Sequence, residues 1–481
     1  MTQAYEVVIG LEVHVELLTA SKMFCACGTE FGQPPNTLVC PVCLGLPGAL
    51  PVPNEKAVEL AYRAAAALNC RLAPRLAFHR KHYFYPDLTK GYQISQAQSP
   101  VGEHGVVLIE DEEGREKPIR IRRLHLEEDT GKSLHDQGGE SLVDLNRSGV
   151  PLIEIVTEPD IRSPEEARRF LQELRAILLY AGVSNVRMEE GSLRCDANIS
   201  LRPVGSQAFG TLVEVKNMNS FRSVKRALEY EAQRQKEILE RGEEVVRETR
   251  HFDETRGITR SARAKEEAAD YRYFPEPDLP VLELDPAWLE GIRKNLPELP
   301  AQRRQRYQSL GLSPYQASVL VAEPSLAKVF EATLAEGAPA VAAANWVMGE
   351  LQGYLQELGK EAEAFPLAPR QIAVILKLLE EEAITGPVAK KLFRDTLLTG
   401  EDPAEVVERE GLRQMGGRET LLPAVEQAIR ENPAAVADYR KGKKAAIGFL
   451  VGQVMRLTQG RANPKEVQDL LRQALDGEGS Q

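Results

Sequence analysis

The 481-residue sequence contains no run of 18 apolar residues, so it offers no segment long enough to cross a bilayer as a helix. Its opening stretch, MTQAYEVVIG, lacks the basic and then apolar order of a secretory signal, which leads us to expect a cytoplasmic protein. A net charge of -11 argues against general nucleic-acid affinity, because polyanion binding needs local cation density. Catalytic signatures are missing too. Thr130-Gly131-Lys132-Ser133 mimics the end of a phosphate-binding loop, but the glycine required five residues before Gly131 is replaced by Leu126. No Gly-x-Ser-x-Gly elbow occurs. Cys43 lacks the glycine pattern of a glutaminase elbow, and residue 2 is Thr rather than an N-terminal Cys. The chain is therefore not expected to release ammonia from glutamine by itself.

What is present is an ordinary globular composition, 43 % hydrophobic and 27 % charged, in a chain too long for one core. Strands with a polar face alternate unevenly with helices in the first part. This suggests an α+β domain on a largely antiparallel open sheet, a cradle over residues 1–294, followed by two small all-helical domains at 295–408 and 409–481. PELPAQRRQRY, from about Pro297, and EDPAEV, from Glu401, read as the linkers. Charge is uneven: residues 411–481 carry 11 Lys and Arg against 8 Asp and Glu, so +3 there against -14 elsewhere. An acidic body with a basic tail calls for a polyanionic partner at the tail. Arg440, Lys441, Lys443, Lys444, Arg456 and Arg461 suit contact with a phosphate backbone.

Residues 123–160 gather His125, Glu127, Glu128, Asp129, Glu154 and Glu158 around glycines and turn residues. Magnesium takes one or two carboxylates plus water and phosphate oxygens, so such a set fits a metal–nucleotide site, with a solvated acidic face as the competing reading. Alternation in Tyr5–Leu17 puts Glu12, His14 and Glu16 on one strand face. Asp196–Arg202 and Thr211–Asn217 read as two more strands, the first presenting Asp196, Asn198, Ser200 and Arg202, the second Glu214 and Lys216. Cys25, Cys27, Cys40 and Cys43 form two close pairs with the spacing of a structural zinc site. Cys70 and Cys195 look like lone core thiols. Asn54 and Ser163 open helices, the latter in a capping box with Glu166, and residues 219–242 form a third. Aromatic and basic residues interleave in HRKHYFYPDLTKGYQISQ at 79–96, a segment suited to stacking a base and holding phosphates; DYRYFPEPD at 270–278 echoes it without a fixed repeat.

Several segments together resemble a known family: GLEVHVEL at 10–17, CPVCLGLPGALP at 40–51, YFYPDLTKGYQISQ at 83–96, RLHLEEDTGKSLH at 123–135, DLNRSGVPLIEIVTEPDI at 144–161, MEEGSLRCDANISLRP at 188–203 and DYRYFPEPDLP at 270–280. They are similar to the B subunits of the bacterial tRNA-dependent amidotransferases, end to end, and the tail looks like that family's helical tRNA-binding domain. The resemblance implies a glutamine synthetase-like catalytic fold. It implies ATP and Mg²⁺, used to turn the side-chain carboxylate of Glu or Asp on tRNA(Gln) or tRNA(Asn) into an acyl phosphate that ammonia then displaces. It further implies three partners: a glutaminase (amidase) subunit, a small third subunit and a non-discriminating aminoacyl-tRNA synthetase. Carried onto this chain, Glu12, His14, Glu127, Glu154, Asp196 and Lys216 would be catalytic, with Mg²⁺ on His14, Glu127 and Glu154. Arg147, Arg194, Arg260 and Arg263 would face phosphate. Strand alternation lets only one of Glu127 and Glu128 point inward and leaves the choice open. Family members differ in the zinc cysteines; all four are present here, so bound zinc is expected. A non-catalytic tRNA scaffold and a stand-alone ammonia ligase are the rival readings.

Overall fold

The computed structural model describes residues 4–96, 98–135, 140–264 and 270–477. The chain divides into two compact units, Met1–Gln302 and Arg303–Gln481. The first is built on a nine-stranded sheet. Its strands are β1 (Tyr5–Glu16), β2 (Arg71–Leu72), β3 (Gly102–Glu110), β4 (Glu116–Glu128), β5 (Pro151–Thr157), β6 (Leu193–Pro203), β7 (Val213–Lys216), β8 (Glu248–Asp253) and β9 (Ile258–Ala264). They run in the order β9-β8-β7-β6-β1-β5-β4-β3-β2, antiparallel throughout except for the parallel pair β7–β8.

The period-two pattern of β1 explains its central place. Ile9, Leu11, Val13 and Val15 are buried in the core, while Glu12, His14 and Glu16 share the opposite face. Helices α1 (Glu55–Ala67), α2 (Pro164–Tyr180) and α3 (Phe221–Glu240) pack on the apolar side and join one hydrophobic core with it. Asn54 caps α1 by accepting from the Ala57 amide at 3.2 Å, and Ser220 caps α3 from the Ser223 amide at 3.0 Å. Ser163 caps α2 at 3.2 Å, but the expected capping box is only half formed. The Glu166 carboxylate accepts from the Arg162 amide at 2.7 Å and pairs with Lys117 at 2.6 Å, so a stronger charged partner takes the oxygen that the box would have used.

The two expected linkers are helical. Pro300–Ser309 forms a helix across the PELPAQRRQRY segment, and Pro403–Glu410 one across EDPAEV. In the latter, Asp402 caps from the Ala404 amide at 2.9 Å and Pro403 occupies the first turn, where its missing N–H costs nothing. The cap and proline that suggest a break in the sequence thus start a helix. The echo between residues 79–96 and 270–278 is a contact: a small sheet pairs Tyr92–Ser95 with His79–His82 and the latter with Phe274–Pro275. His82 stacks on Phe274 with centroids 4.8 Å apart, and Tyr83 meets Tyr271 edge-on at 6.1 Å.

In the second unit, every regular element among the described residues is a helix apart from one bridge, Met415–Ala462. The amphipathic segment expected at 342–358 is helical with one π turn, Val347–Leu351, between Ala340–Trp346 and Gln352–Leu358. Residues 421–475 close around their own core of Leu421, Val425, Leu450, Val454, Val467 and Leu471. No helix among the described residues is long and apolar enough to cross a membrane.

Ile155 on β5 is fully buried between the sheet and its helices. Ile155→Ala is expected to cost about 2–5 kcal/mol. Urea denaturation in a Trp346→Phe background checks this, with Trp288, 5.4 Å from Tyr62, reporting on the first unit.

Candidate functional site

The sheet register builds a line of side chains across four adjacent strands. His125 on β4 stands opposite Glu154 on β5, Glu154 opposite His14 on β1, and His14 opposite Arg194 on β6. Glu127, two residues beyond His125, joins from the next row. His14 Nε2 lies 3.6 Å from Glu154 and 3.9 Å from Glu127. His125 Nε2 lies 3.2 Å from Glu154 and 3.5 Å from Glu127. The ligand atoms of His14, Glu127 and Glu154 all fall within 4.8 Å of one another. Two carboxylates and an imidazole converging in this way fit a small hard cation.

The electrostatics support that fit. The Glu127 and Glu154 side chains are only 2 % and 9 % exposed, and buried carboxylates demand a counter-charge. Burial raises both, but His125 and its neighbours outweigh it and hold both below the ordinary carboxylate range. For the histidines burial works downward, yet Glu154 and Glu127 win. They hold His14 above its usual value and push His125 up to about 9. The two carboxylates thus favour the charged form of both imidazoles. Among the described residues His125 Nδ1 is buried with no hydrogen-bond partner, an unsatisfied group of the kind that an ion, water or ligand completes.

Glu127, not Glu128, faces this cluster. It also accepts from Ser95 Oγ at 3.0 Å. Glu128 points the other way, to an ion pair with Lys90 and a 3.0 Å bond from the Ile94 amide. Lys81 of the aromatic segment lies within electrostatic reach of the acids. Burial opposes its charge, but Glu127, Tyr273 and Glu154 outweigh that and hold its pKa above the usual lysine value. Its Nζ is 5.0 Å from the Tyr271 ring and 5.8 Å from Tyr83. It makes no ion pair among the described residues. His125 and Lys81 escape a residue-by-residue site assignment from sequence, although the i, i+2 spacing of His125 and Glu127 on one strand carries the signal for the first.

A second row runs beside the first. Glu12 stands opposite Asp196, accepts from Asn198 Nδ2 at 2.9 Å, and Asp196 pairs with Lys216 at 2.5 Å. Lys216 reaches Glu214 at 3.1 Å. Arg194 and Arg147 converge on Asp129 instead of standing open: Arg194 Nη2 is 2.8 Å and Arg147 Nε 3.6 Å from its carboxylate. Arg147 also donates to the carbonyls of Thr130 at 3.1 Å and Gly131 at 2.8 Å. Glu16 beside this group is lifted to about 7 by burial and by the charge of Asp129. Arg260 lies on the edge strand β9, opposite His251 and 3.1 Å from Asp253. Arg263 pairs with Thr249 through its backbone, and its side chain lies outside the described residues.

The sulfurs of Cys25, Cys27, Cys40 and Cys43 lie within 4.8 Å of one another, with Cys40 and Cys43 at 3.9 Å. A tetrahedron of zinc–sulfur bonds of about 2.3 Å has edges of about 3.8 Å, so the donor set fits a closed thiolate site. Cys70 and Cys195 are buried apart from it. In the second unit, Arg440, Lys441, Lys443, Lys444 and Arg456 line the basic segment around residues 440–456, with Lys441, Lys443 and Lys444 exposed. Lys443 pairs with Asp438 at 3.1 Å. Arg461 is half-buried and donates to the carbonyls of Gly411 at 2.9 Å and Thr458 at 3.3 Å, a structural tie.

An open antiparallel sheet bearing a buried carboxylate–histidine row, joined to a helical unit, places the chain in a class of catalytic domains with a helical extension. Residues 7–290 match the family described as the GatB/GatE catalytic domain and residues 328–475 the one described as the GatB domain, and the chain belongs to this family. It is 54 % identical over 98 % of its length, and 99 % of the relative's, to the protein named as the B subunit of aspartyl/glutamyl-tRNA(Asn/Gln) amidotransferase in Caldicellulosiruptor saccharolyticus. Proteins of the same name in Carboxydothermus hydrogenoformans and Moorella thermoacetica are 53 % and 51 % identical, each over 98 % of this chain and 99 % or more of their own.

The stability of the metal-free first unit carries the signature of this row. The His125 contribution is complete below its unfolded value of 6.5 and is lost as pH rises through about 9. The Glu127 and Glu154 contributions are complete above 4.5 and lost as pH falls through their depressed folded values. Urea midpoints taken with a chelator present are expected to decline on the alkaline side of pH 6.5. Glu154→Gln, which removes the main charge raising His125, should flatten that decline; an unchanged alkaline limb would contradict the assignment.

Proposed function

We propose that this chain is the activating subunit of a tRNA-dependent amidotransferase. It uses ATP to phosphorylate the side-chain carboxylate of Glu or Asp misacylated on tRNA(Gln) or tRNA(Asn). It then amidates that group with ammonia supplied by a glutaminase partner. The observation that carries this reading is the cluster of His14, Glu127 and Glu154 in a sheet face that also holds His125, with Lys81 of the neighbouring small sheet in electrostatic reach of it; the names of the relatives support the substrate class.

A carboxylate is a poor acyl donor until one of its oxygens becomes a leaving group. Transfer of the γ-phosphoryl group to that oxygen yields an acyl phosphate and ADP; ammonia then adds at the carbonyl carbon, phosphate departs and the nitrogen loses a proton. Phosphoryl transfer needs charge neutralisation and alignment more than a protein nucleophile, which agrees with a cradle of acids and cations lacking a nucleophile elbow. His14, Glu127 and Glu154 would hold Mg²⁺, whose chemistry there is to offset phosphate charge. Lys81, presented by tyrosines beside those acids, supplies a fixed positive charge at the mouth of the cluster. Glu12, Asp196 and Lys216 form the adjoining row that orients the substrate. Arg147 and Arg194, drawn to Asp129, shape the floor of the site.

Arg440, Lys441, Lys443, Lys444 and Arg456 engage the tRNA backbone, which positions without reading sequence. The amidase and a small third subunit complete the assembly, the synthetase that charges the tRNA can join it, and the setting is cytoplasmic. The four cysteines hold a structural Zn²⁺.

Release of labelled phosphate from γ-labelled ATP, measured in the assembled enzyme with Glu-tRNA or Asp-tRNA, tests the central claim. Glu127→Ala and Glu154→Ala are each expected to lower aminoacyl-tRNA-dependent release by ~10²-fold or more while the partner's glutamine hydrolysis persists. Unchanged release in both would move the chemistry to another chain and leave this one a tRNA scaffold. Turnover without tRNA would favour the stand-alone ligase. Separately, Cys43→Ser is expected to abolish stoichiometric zinc as read by atomic emission, and retention of zinc in that variant would refute the thiolate assignment.

A further inference from the structure

The cysteine loop lies against the turn between residues 143 and 150, and side chains from both segments bond across. Lys22 is fully buried, and its Nζ donates to the Leu38 carbonyl at 2.7 Å on one side and the Leu145 carbonyl at 3.3 Å on the other, with Cys43 Sγ at 3.5 Å. It has no carboxylate partner among the described residues. A buried ammonium without a counter-charge is costly. Four thiolates on one Zn²⁺ leave two negative charges, so a loaded cysteine site is the complement that Lys22 lacks.

Two asparagines complete the connection. Asn36 accepts from the Leu145 amide at 2.8 Å and donates from Nδ2 to the Val143 carbonyl at 3.0 Å. Its φ is +59°, in the left-handed region that asparagine tolerates better than most side-chain-bearing residues. Asn146 answers from the other side, accepting from the Leu38 amide at 2.8 Å and donating to the Pro34 carbonyl at 2.7 Å.

Beyond the turn the chain of contacts reaches the acids. The Gly149 amide donates to the Asp129 carbonyl and the Asp129 amide to the Val150 carbonyl, both at 2.8 Å. Arg147 clasps the Thr130 and Gly131 carbonyls. Asp129 is two residues from Glu127 and holds Arg194 at 2.8 Å.

We propose that Lys22, Asn36 and Asn146 are positioning residues: through them the cysteine loop fixes the Arg147 turn and thereby the end of β4 that presents Glu127. Its metal arm rests on the zinc reading above; the brace itself does not. The test uses the full-length chain with three readouts: zinc content, amide hydrogen exchange, and Mn²⁺ binding at the His14, Glu127 and Glu154 cluster followed by its electron paramagnetic resonance signal.

In the Asn36→Ala/Asn146→Ala double variant, zinc is retained. The amides of Asp129, Gly131, Gly149 and Val150 exchange about tenfold faster while those of α3 do not change. Mn²⁺ affinity falls about tenfold, the usual cost of loosening groups that support a metal's ligands. Lys22→Met and chelator-stripped wild type are expected to shift the same amides. Unchanged exchange at Asp129 and Gly131 in the double variant overturns the proposal, and so does acceleration extending to α3, or Mn²⁺ affinity equal to wild type. Absence of zinc from the purified wild type would refute only the metal reading, because the asparagine variant still decides the brace.

Discussion

Two carboxylates, Glu127 and Glu154, are buried side by side on a β-sheet, and the rest of the first unit answers that expense. Charges of one sign brought so close repel unless cations stand between them. His125 and His14 flank Glu154 on the neighbouring strands, Lys81 lies within electrostatic reach of the pair, and Arg194 ends the row. Antiparallel pairing makes this arrangement compact, because directly opposed residues on adjacent strands have their Cβ atoms about 5 Å apart. Three strand pairings therefore fix the four side chains of the row, and a slip of one residue in any of these strands would turn its member into the hydrophobic core.

The same logic explains the division of labour between the faces. Helices α1 to α3 take the apolar side, leaving the polar side free to be a cradle. The former supplies the packed core and the latter gathers the acids, histidines and arginines. Around the rim, segments distant in sequence are drawn in: the His79–His82 strand pairs with Phe274–Pro275, and the cysteine loop leans on the 143–150 turn.

Much of this is legible in the sequence, and for definable reasons. Alternation in GLEVHVEL and in DANISLR assigns faces without ambiguity, so β1 and β6 and their polar residues can be read directly. The cysteine spacing likewise announces its cluster. What cannot be read is whatever depends on partners remote in the chain. Glu127 and Glu128 are equivalent in sequence until Lys90 and the Ile94 amide claim one of them. Arg147 and Arg194 look like open cations until Asp129 takes both. Glu166 leaves its capping role because Lys117, far upstream, is better placed. Asp402-Pro403 reads equally as a break or as the first turn of a helix, and only the residues that follow decide.

The position of β1 has a consequence for how the chain is made. It precedes every other strand of the sheet in the chain, yet it is central, flanked by β5 and β6, which begin only at Pro151 and Leu193. At elongation rates of about 5–20 residues per second those partners appear roughly ten to thirty seconds later. Throughout that interval a long strand with one apolar face has neither edge satisfied, the condition under which strands pair with the wrong neighbour. Glu12, His14 and Glu16 then act as gatekeepers during synthesis, since alternating charges keep the nascent strand soluble until its partners arrive. The polar face that β1 contributes to the finished sheet also protects the unfinished one.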